Sequence, residues 1–182
     1  MVNLVLKHFE RELARLLPYL NQVDAPVYQL AESGKIYKGL GQEKKQISIS
    51  DQMGKAVYIR QLQDEKISKG KFISSCDQLY NVTAICRAVF YSFTNDVLNP
   101  DEVKSHLLTA LRNIDFTTYA GSELEIKVEP YGASTNLEKI FEAETKTKYE
   151  GGQWPVLVAV DFNLIYQDQN CDECLTNIEC YE

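Results

Sequence analysis

The chain has 182 residues, of which 45% are hydrophobic and 25% are charged, and its formal net charge is −7. This composition is typical of one folded domain with a full hydrophobic core. The acidic balance argues against a general nucleic-acid binder, because such proteins carry a basic surface, although an acidic wall still lets DNA slide past it. No stretch of the sequence is long and apolar enough to predict a membrane span.

The first part of the chain is predicted as one helix followed by short strands. Residues 4–20 carry leucines and a phenylalanine at spacings of three and four, which predicts an amphipathic helix with Pro18 near its end. Three strands are then predicted, at residues 27–30, around Ile47 and Ile49, and at residues 55–63. Residues 64–71 are charged and contain Gly70, so they are predicted as a hairpin loop.

Two long runs, residues 80–93 and 155–167, alternate between apolar and polar side chains. Their even positions are mostly apolar, whereas the odd positions include Arg87 and Asp161. A period of two predicts long strands that each have one buried face. If the two strands are antiparallel neighbours, Arg87 and Asp161 face each other, and such a cross-strand pair contributes about 0.2–1 kcal/mol.

Two helices and a further strand are predicted between and beside the long strands. Residues 99–102 read Asn-Pro-Asp-Glu, the N-terminal signature of a helix that ends near Asn113 and lies across the sheet. Residues 123–129 alternate and predict a strand. Residues 135–138 form a capping-box pattern, which predicts a second, short helix with apolar positions at Leu137, Ile140 and Phe141.

These elements predict a single α+β domain over residues 1–167. It is expected to contain a long-stranded, mostly antiparallel sheet, because sequential strands with short connections favour antiparallel pairing, with helices packed on one face. Residues 168–182 are predicted to form an acidic C-terminal tail that contains cysteines.

The chain contains five cysteines, which are Cys76, Cys86, Cys171, Cys174 and Cys180. The apolar run at the N-terminus is too short for a secretion signal, so reduced thiols in a cytoplasmic setting are expected. The C-x2-C spacing of the tail makes Cys171, Cys174 and Cys180 weak candidates for zinc ligands. A closed zinc site needs four ligands, and a fourth is not evident nearby, so no metal and no cofactor are predicted. Cysteines that are free or joined by a disulfide in the tail are the competing interpretation.

No catalytic residues are predicted. Cys86 falls on the apolar face of a long strand, where a small buried side chain is expected rather than a nucleophile. A catalytic site would need His106, a cysteine and a carboxylate to converge in a cleft, and this convergence is what distinguishes the enzyme hypothesis.

The odd-numbered face of the first long strand is predicted to be an interface. It carries an apolar cluster that needs a cover, and another subunit is the simplest cover, while a layer from the same chain such as the N-terminal helix is the competing one. The eleven tyrosines suit protein contacts. The predicted interface residues are Ile85, Arg87, Val89, Tyr91, Phe93 and Asp161, together with Lys66 and Lys69 of the charged loop.

The layout resembles that of the small tail-terminator and tail-completion proteins of tailed bacteriophages. The likeness is carried by the leading helix through Leu20, the strand–loop–strand region at 55–93, the capped helix from Asn99 and the closing strand at 156–165. It covers residues 1–167 as a pattern, and the cysteine-containing tail lies outside it.

The resemblance implies a non-enzymatic, ring-forming virion subunit at the neck or tail, where it serves in head–tail connection or tail completion. Its expected partners are copies of itself and adjacent portal, connector or tail proteins. DNA is expected at most to pass through the channel, no membrane is involved, and the protein is expected in the virion after assembly in the host cytoplasm. A stand-alone binding module that uses the sheet as a platform for a protein or ligand is the alternative hypothesis.

Overall fold

The computed structural model describes residues 12–13, 15–17, 27–30, 36–38, 45–47, 55–72, 78–93, 98–114, 126–150 and 155–170. Within these ranges, strands β1 to β8 are Val27–Leu30, Ile36–Lys38, Lys45–Ile47, Lys55–Gln61, Lys66–Phe72, Gln78–Ser92, Ile126–Ser134 and Val156–Asn170. Helices α1 and α2 are Pro100–Arg112 and Leu137–Thr145. Residues 12–13 and 15–16 are also helical, and the rest of the predicted N-terminal helix lies outside the described residues.

The described strands form one sheet in the order β3-β2-β1-β4-β6-β8-β7, and β5 also pairs with β6. The β1–β4 pair is parallel, and every other pair is antiparallel. The two 15-residue strands β6 and β8 pair along their whole length and form the centre of the sheet. The predicted α+β class with a long-stranded, mostly antiparallel sheet is therefore confirmed.

Strands β4 and β5 lie in line on the same edge of β6, because β8 occupies the other edge. Gln61 of β4 is opposite Cys86 and Lys66 of β5 is opposite Thr83, so four residues, 62–65, face two residues of β6. The prediction of a hairpin loop at residues 64–71 is wrong. The chain stays on β6 through a bulge, held by the Leu62 amide, which donates to the Ile85 carbonyl at 2.7 Å. The lysines that suggested a loop instead occupy an edge strand, where charged side chains reach solvent.

One face of the sheet, here called the α1 face, carries the larger core. The helical residues Leu13 and Leu17 and the buried stripe of α1 pack there against the even-numbered side chains of β6 and β8. The buried members from α1 are Val103, Leu107, Ala110 and Leu111, and those from the long strands are Val82, Ala84, Cys86, Ala88, Phe90, Val158, Val160, Phe162, Leu164 and Tyr166.

The opposite face, here called the α2 face, carries a smaller core. Ile140 of α2 packs there against the sheet, with Leu137 and Phe141 partly buried beside it. The sheet residues of this core are Ala56, Tyr58, Val89, Tyr91, Leu157 and Ala159. The N-terminal helical residues and α1 share one face, as predicted for all the helices, whereas α2 lies on the opposite face, where no helix was predicted.

The helix boundaries follow local capping. The Asn99 side chain accepts a hydrogen bond from the Asp101 amide at 3.0 Å, Pro100 begins α1, and Asn113 ends it, as predicted. At α2 the cap is Asn136, which accepts from the Lys139 amide at 2.9 Å. The predicted capping box at residues 135–138 therefore places the cap one residue too early.

The last strand continues beyond its predicted end at residue 167, because β8 pairs with β6 as far as Asn170. Residues 171–182, with the three tail cysteines, lie outside the described residues, as does the predicted strand start at 123–125. None of the helices in the described ranges has the length and apolar character needed to cross a membrane.

We expect the α1 face to dominate stability. Replacing Leu107, which is completely buried, by alanine should lower the free energy of unfolding by about 2–5 kcal/mol, because the substitution leaves a cavity in the larger core. Urea denaturation measures the loss, with Thr109→Ala on the exposed side of the same helix as control. Equal effects of the two substitutions would contradict the assignment of this core.

Candidate functional site

Arg87 and Asp161 form a bidentate ion pair across the two central strands. They are directly opposite in the β6–β8 register. Arg87 Nε lies 2.6 Å from Asp161 Oδ1, and Arg87 Nη2 lies 3.0 Å from Asp161 Oδ2. The predicted cross-strand pair is thus confirmed. Hydrogen bonding to Asp161 raises the pKa of the Arg87 guanidinium above its already high ordinary value, so its charge is permanent.

A second carboxylate, from Glu144 near the end of α2, joins this pair to the neighbouring strand. Arg87 Nη1 lies 3.3 Å from Glu144 Oε1, and Arg60 Nη2 lies 2.7 Å from the same oxygen. The Tyr58 hydroxyl donates to Glu144 Oε2 at 2.9 Å. These five residues, Tyr58, Arg60, Arg87, Glu144 and Asp161, are here called the Glu144 network.

The Glu144 side chain is only 1% exposed, so its charge must be compensated inside the protein. An unpaired buried carboxylate costs several kcal/mol, whereas two guanidinium groups and a hydroxyl satisfy this one. The two arginine side chains are 20% and 22% exposed, so their outer parts keep contact with solvent. The arrangement fixes α2 over strands β4 and β6 by directional charge pairing as well as by apolar contact.

Two details show the cost of this arrangement. Burial, with Glu144 next to the hydroxyl, raises the pKa of Tyr58 well above its ordinary value of 10.0. Within the described residues, the Nε of Arg60 is buried and has no hydrogen-bond partner. The loss of water from this atom costs free energy that no hydrogen bond within the described residues offsets.

Sequence analysis identified two of the five members of the Glu144 network, and signals for the others were present. Glu144 follows Leu137, Ile140 and Phe141 at helical spacing, so it lies on the apolar stripe of α2 rather than on its polar face. Arg60 is directly opposite Arg87 in the β4–β6 register. Like charges in this position repel unless an anion lies between them, and Glu144 is that anion.

A cavity of about 370 Å³ lies beside the network, between α2 and the end of β7. Arg87, Lys139 and Asp161 supply its charged groups, and Ile140, Ala143 and Ala159 supply apolar walls. The cavity is broadly open to solvent. Its charged groups are of both signs, and its apolar walls are formed partly by small side chains.

The described residues show no arrangement that resembles a nucleophilic site. Cys86 is 1% exposed on the α1 face, as predicted, and burial raises the pKa of its thiol to about 12. The thiol is therefore protonated at neutral pH, which suppresses its reactivity. His106 is half-buried on α1. Among the described residues no group of three or more His, Cys, Asp and Glu is placed to hold a metal ion, and the tail cysteines lie outside that part of the chain.

The predicted interface residues are divided by the structure. Val89 and Tyr91 are completely buried, and Phe93 packs beside them, because α2 of the same chain covers this part of the sheet. Val89 and Tyr91 are therefore not free for a subunit contact, and the cover in the described part of the chain comes from α2, while Leu13 and Leu17 pack on the α1 face. Ile85 is half-buried, and Lys66 and Lys69 are exposed on β5.

Neither a scan against protein-family models nor a search of curated proteins returns a match for this chain. The geometry of the described residues is therefore the basis for any functional assignment.

Removing the charge of Glu144 should destabilise the fold. We expect Glu144→Gln to lower the free energy of unfolding by about 2–4 kcal/mol, because Arg60 and Arg87 lose their shared anion in a largely buried place. Urea denaturation measures the change. The matched control is Glu142→Gln, on the exposed side of the same helix, which should change stability by at most about 0.5 kcal/mol. Similar losses for both variants would show that Glu144 is not compensated as described.

Stability should also fall at alkaline pH because of Tyr58. The pKa of Tyr58 is raised in the folded state. The neutral hydroxyl therefore contributes its full stabilisation of the fold below the ordinary value of 10.0, and this stabilisation is lost as pH rises from there towards the folded pKa. Over that range the wild type should lose up to about 1.4 kcal/mol more per pH unit than Tyr58→Phe, which has no proton to lose. Denaturation curves from pH 8 to about 11.5 give both slopes. Parallel slopes would contradict the burial of this hydroxyl.

Proposed function

We propose that this protein is a non-enzymatic assembly subunit that forms a homo-oligomeric ring at the neck or tail of a tailed bacteriophage. In this role it serves in head–tail connection or tail completion and contacts adjacent portal, connector or tail proteins. The observation that carries the proposal is a strip of the α2 face that α2 does not cover.

The strip lies where the two central strands continue past α2. The sheet residues buried with α2 end at Val89 on β6 and at Ala159 on β8. Beyond them, the side chains on the same face stay half-buried, and they are Asn81, Thr83, Ile85, Asn163, Ile165 and Gln167. Lys66 of β5 is opposite Thr83 and extends the strip to the sheet edge.

The composition of the strip suits association of subunits that are already folded. It mixes apolar side chains with amides and a hydroxyl, as the surfaces of separately stable proteins do when they associate. The fully apolar part of the α2 face is already covered by α2, so the protomer does not depend on a partner for its core. The proposed contact is therefore displaced along the strands from Val89 and Tyr91 to the strip around Ile85 and Ile165.

The chemistry of the Glu144 network also supports a structural role. Each of its carboxylates is bound by arginine, and the Tyr58 hydroxyl donates to Glu144, so these groups are paired with one another even where Arg87 and Asp161 line the cavity. A hydrogen-bonded network of this kind holds α2 in a fixed position on the sheet. Such rigidity suits a structural subunit of a particle.

The charge of the chain suits a channel for DNA. With a formal net charge of −7, a ring built from many copies would repel phosphates along its inner wall and let a genome pass without adhering to it. In this proposal DNA is not a bound partner, and the protein resides in the virion.

A stand-alone binding module is the second candidate. The cavity of about 370 Å³ beside the Glu144 network favours it, because that volume is within the range of small-molecule sites. A module of this kind would remain a single protomer at all concentrations, whereas a ring subunit would not.

The mass of the native protein in solution separates these candidates. A ring should give one discrete mass that is a whole multiple of the 20.8 kDa protomer, measured by light scattering and by native mass spectrometry over a wide concentration range. Ile165→Glu, in the strip, should reduce the mass to that of the protomer, while Ser105→Glu on the exposed side of α1 should not. A monodisperse protomer at high concentration would rule out the ring subunit.

A further inference from the structure

The described residues expose two large hydrophobic side chains, Ile67 at 64% and Tyr131 at 58%. Single exposed hydrophobic residues are common and by themselves carry no information. The positions of these two are informative, because they occupy opposite edges and opposite faces of the same part of the sheet.

The two residues lie on the outer strands of the four-strand segment β5-β6-β8-β7. Ile67 is on β5, which among the described strands pairs only with β6. Tyr131 is on β7, which within the same part of the chain pairs only with β8. Each side chain therefore stands beside an edge that the described strands leave open, and the two edges are on opposite sides of the molecule.

The two residues also face opposite sides of the sheet. Ile67 is opposite Val82, a member of the core on the α1 face, so its side chain points to that face. Tyr131 is the extra residue of a bulge between Pro130 and Gly132, and Gly132 is opposite Asp161. A bulge sets two residues opposite one on the partner strand, so Tyr131 stands with Gly132 beside Asp161, on the α2 face. Partial burial and the charge of Asp161 raise the pKa of Tyr131.

Each exposed residue has a charged neighbour on its own face, and the two charges are opposite. Lys69 is opposite Tyr80 and shares the α1 face with Ile67, while Glu129 is opposite Asn163 and shares the α2 face with Tyr131. Both charged side chains are exposed, and neither has an ion-pair partner among the described residues. Lys127, which lies on the same face as Glu129, already has an interaction within the chain.

We propose that two copies of this chain associate head to tail by overlapping these edges, with Ile67 and Lys69 of one copy on Tyr131 and Glu129 of the next. This lap joint rests on the proposed function and names the surfaces through which the copies meet. When two sheets overlap at their edges, one sheet contributes one of its faces and the other sheet contributes the opposite face. Here the α1 face at the β5 edge of one copy would meet the α2 face at the β7 edge of the next. Glu129 adjoins Asn163 of the uncovered strip, so the joint is continuous with that surface.

A head-to-tail contact uses two different patches, and this property allows a complementation experiment. Ile67→Asp removes one patch and leaves the other intact, and Tyr131→Asp does the reverse. Each variant alone should have the mass of a protomer, and an equimolar mixture should give a heterodimer and nothing larger. Ser105→Asp, on the exposed side of α1, should assemble like the wild type. Circular dichroism confirms that all variants fold, which is expected because the three positions are exposed.

Charge reversal provides an independent measurement of the same joint. Lys69→Glu alone and Glu129→Lys alone should each weaken association by about tenfold or more, because like charges then meet at the contact. The double variant that carries both changes should recover most of the wild-type affinity, since the charges are again opposite.

The outcomes separate the joint from the proposed function. If the wild type assembles and Ile67→Asp and Tyr131→Asp assemble equally well, the lap joint is wrong and the assembly subunit stands. If each variant is a protomer and their mixture stays a protomer, the contact is not head to tail and the joint is again wrong. If the wild type itself never associates, both proposals fall.

Discussion

The ion pairs of Glu144 with Arg60 and Arg87 determine where α2 lies on the sheet. It places a charged residue of a nine-residue helix in the interior, on the side of the sheet away from the larger core. A helix this short is marginal in isolation, so its position depends on what it binds. Arg60 on β4 and Arg87 on β6 hold it there, and Asp161 on β8 balances the second arginine. Glu144 therefore connects two adjacent strands to α2 directly, and a third through Arg87.

This connection changes what the sheet can offer to other molecules. Without α2, the apolar side chains of Tyr58, Val89 and Tyr91 would be exposed, and a partner would be needed to cover them. With α2 in place they form a second small core, and the more polar continuation of the same strands beyond it is half-buried. The part of the sheet that carries Tyr58, Val89 and Tyr91 is therefore buried without a partner chain.

Local patterns in the sequence predicted much of this fold. Alternation along residues 80–93 and 155–167 identified the central strands. The comparable positions of Arg87 and Asp161 on the polar faces of these strands identified their ion pair. The cap at Asn99 located α1 because its chemistry is entirely local. The side of the sheet that α2 would take was not predictable in this way, because it depends on Glu144 meeting arginines that are 57 and 84 residues away in the chain. The hairpin placed at residues 64–71 failed for a related reason: charge density resembles a loop, and only pairing with β6 shows an edge strand.

The bulge between β4 and β5 has a consequence for how the chain can vary. Residues 62–65 face two residues of β6, an excess of two, so odd positions point to the α1 face on both sides of it, as Val57 and Ile67 do. Loss or gain of a single residue there would turn β5 over and exchange which of its side chains meet the core side. Insertion or deletion of two residues would leave each side chain of β5 on its present face of the sheet. Descendants of this sequence should therefore tolerate length changes at this bend only in even steps.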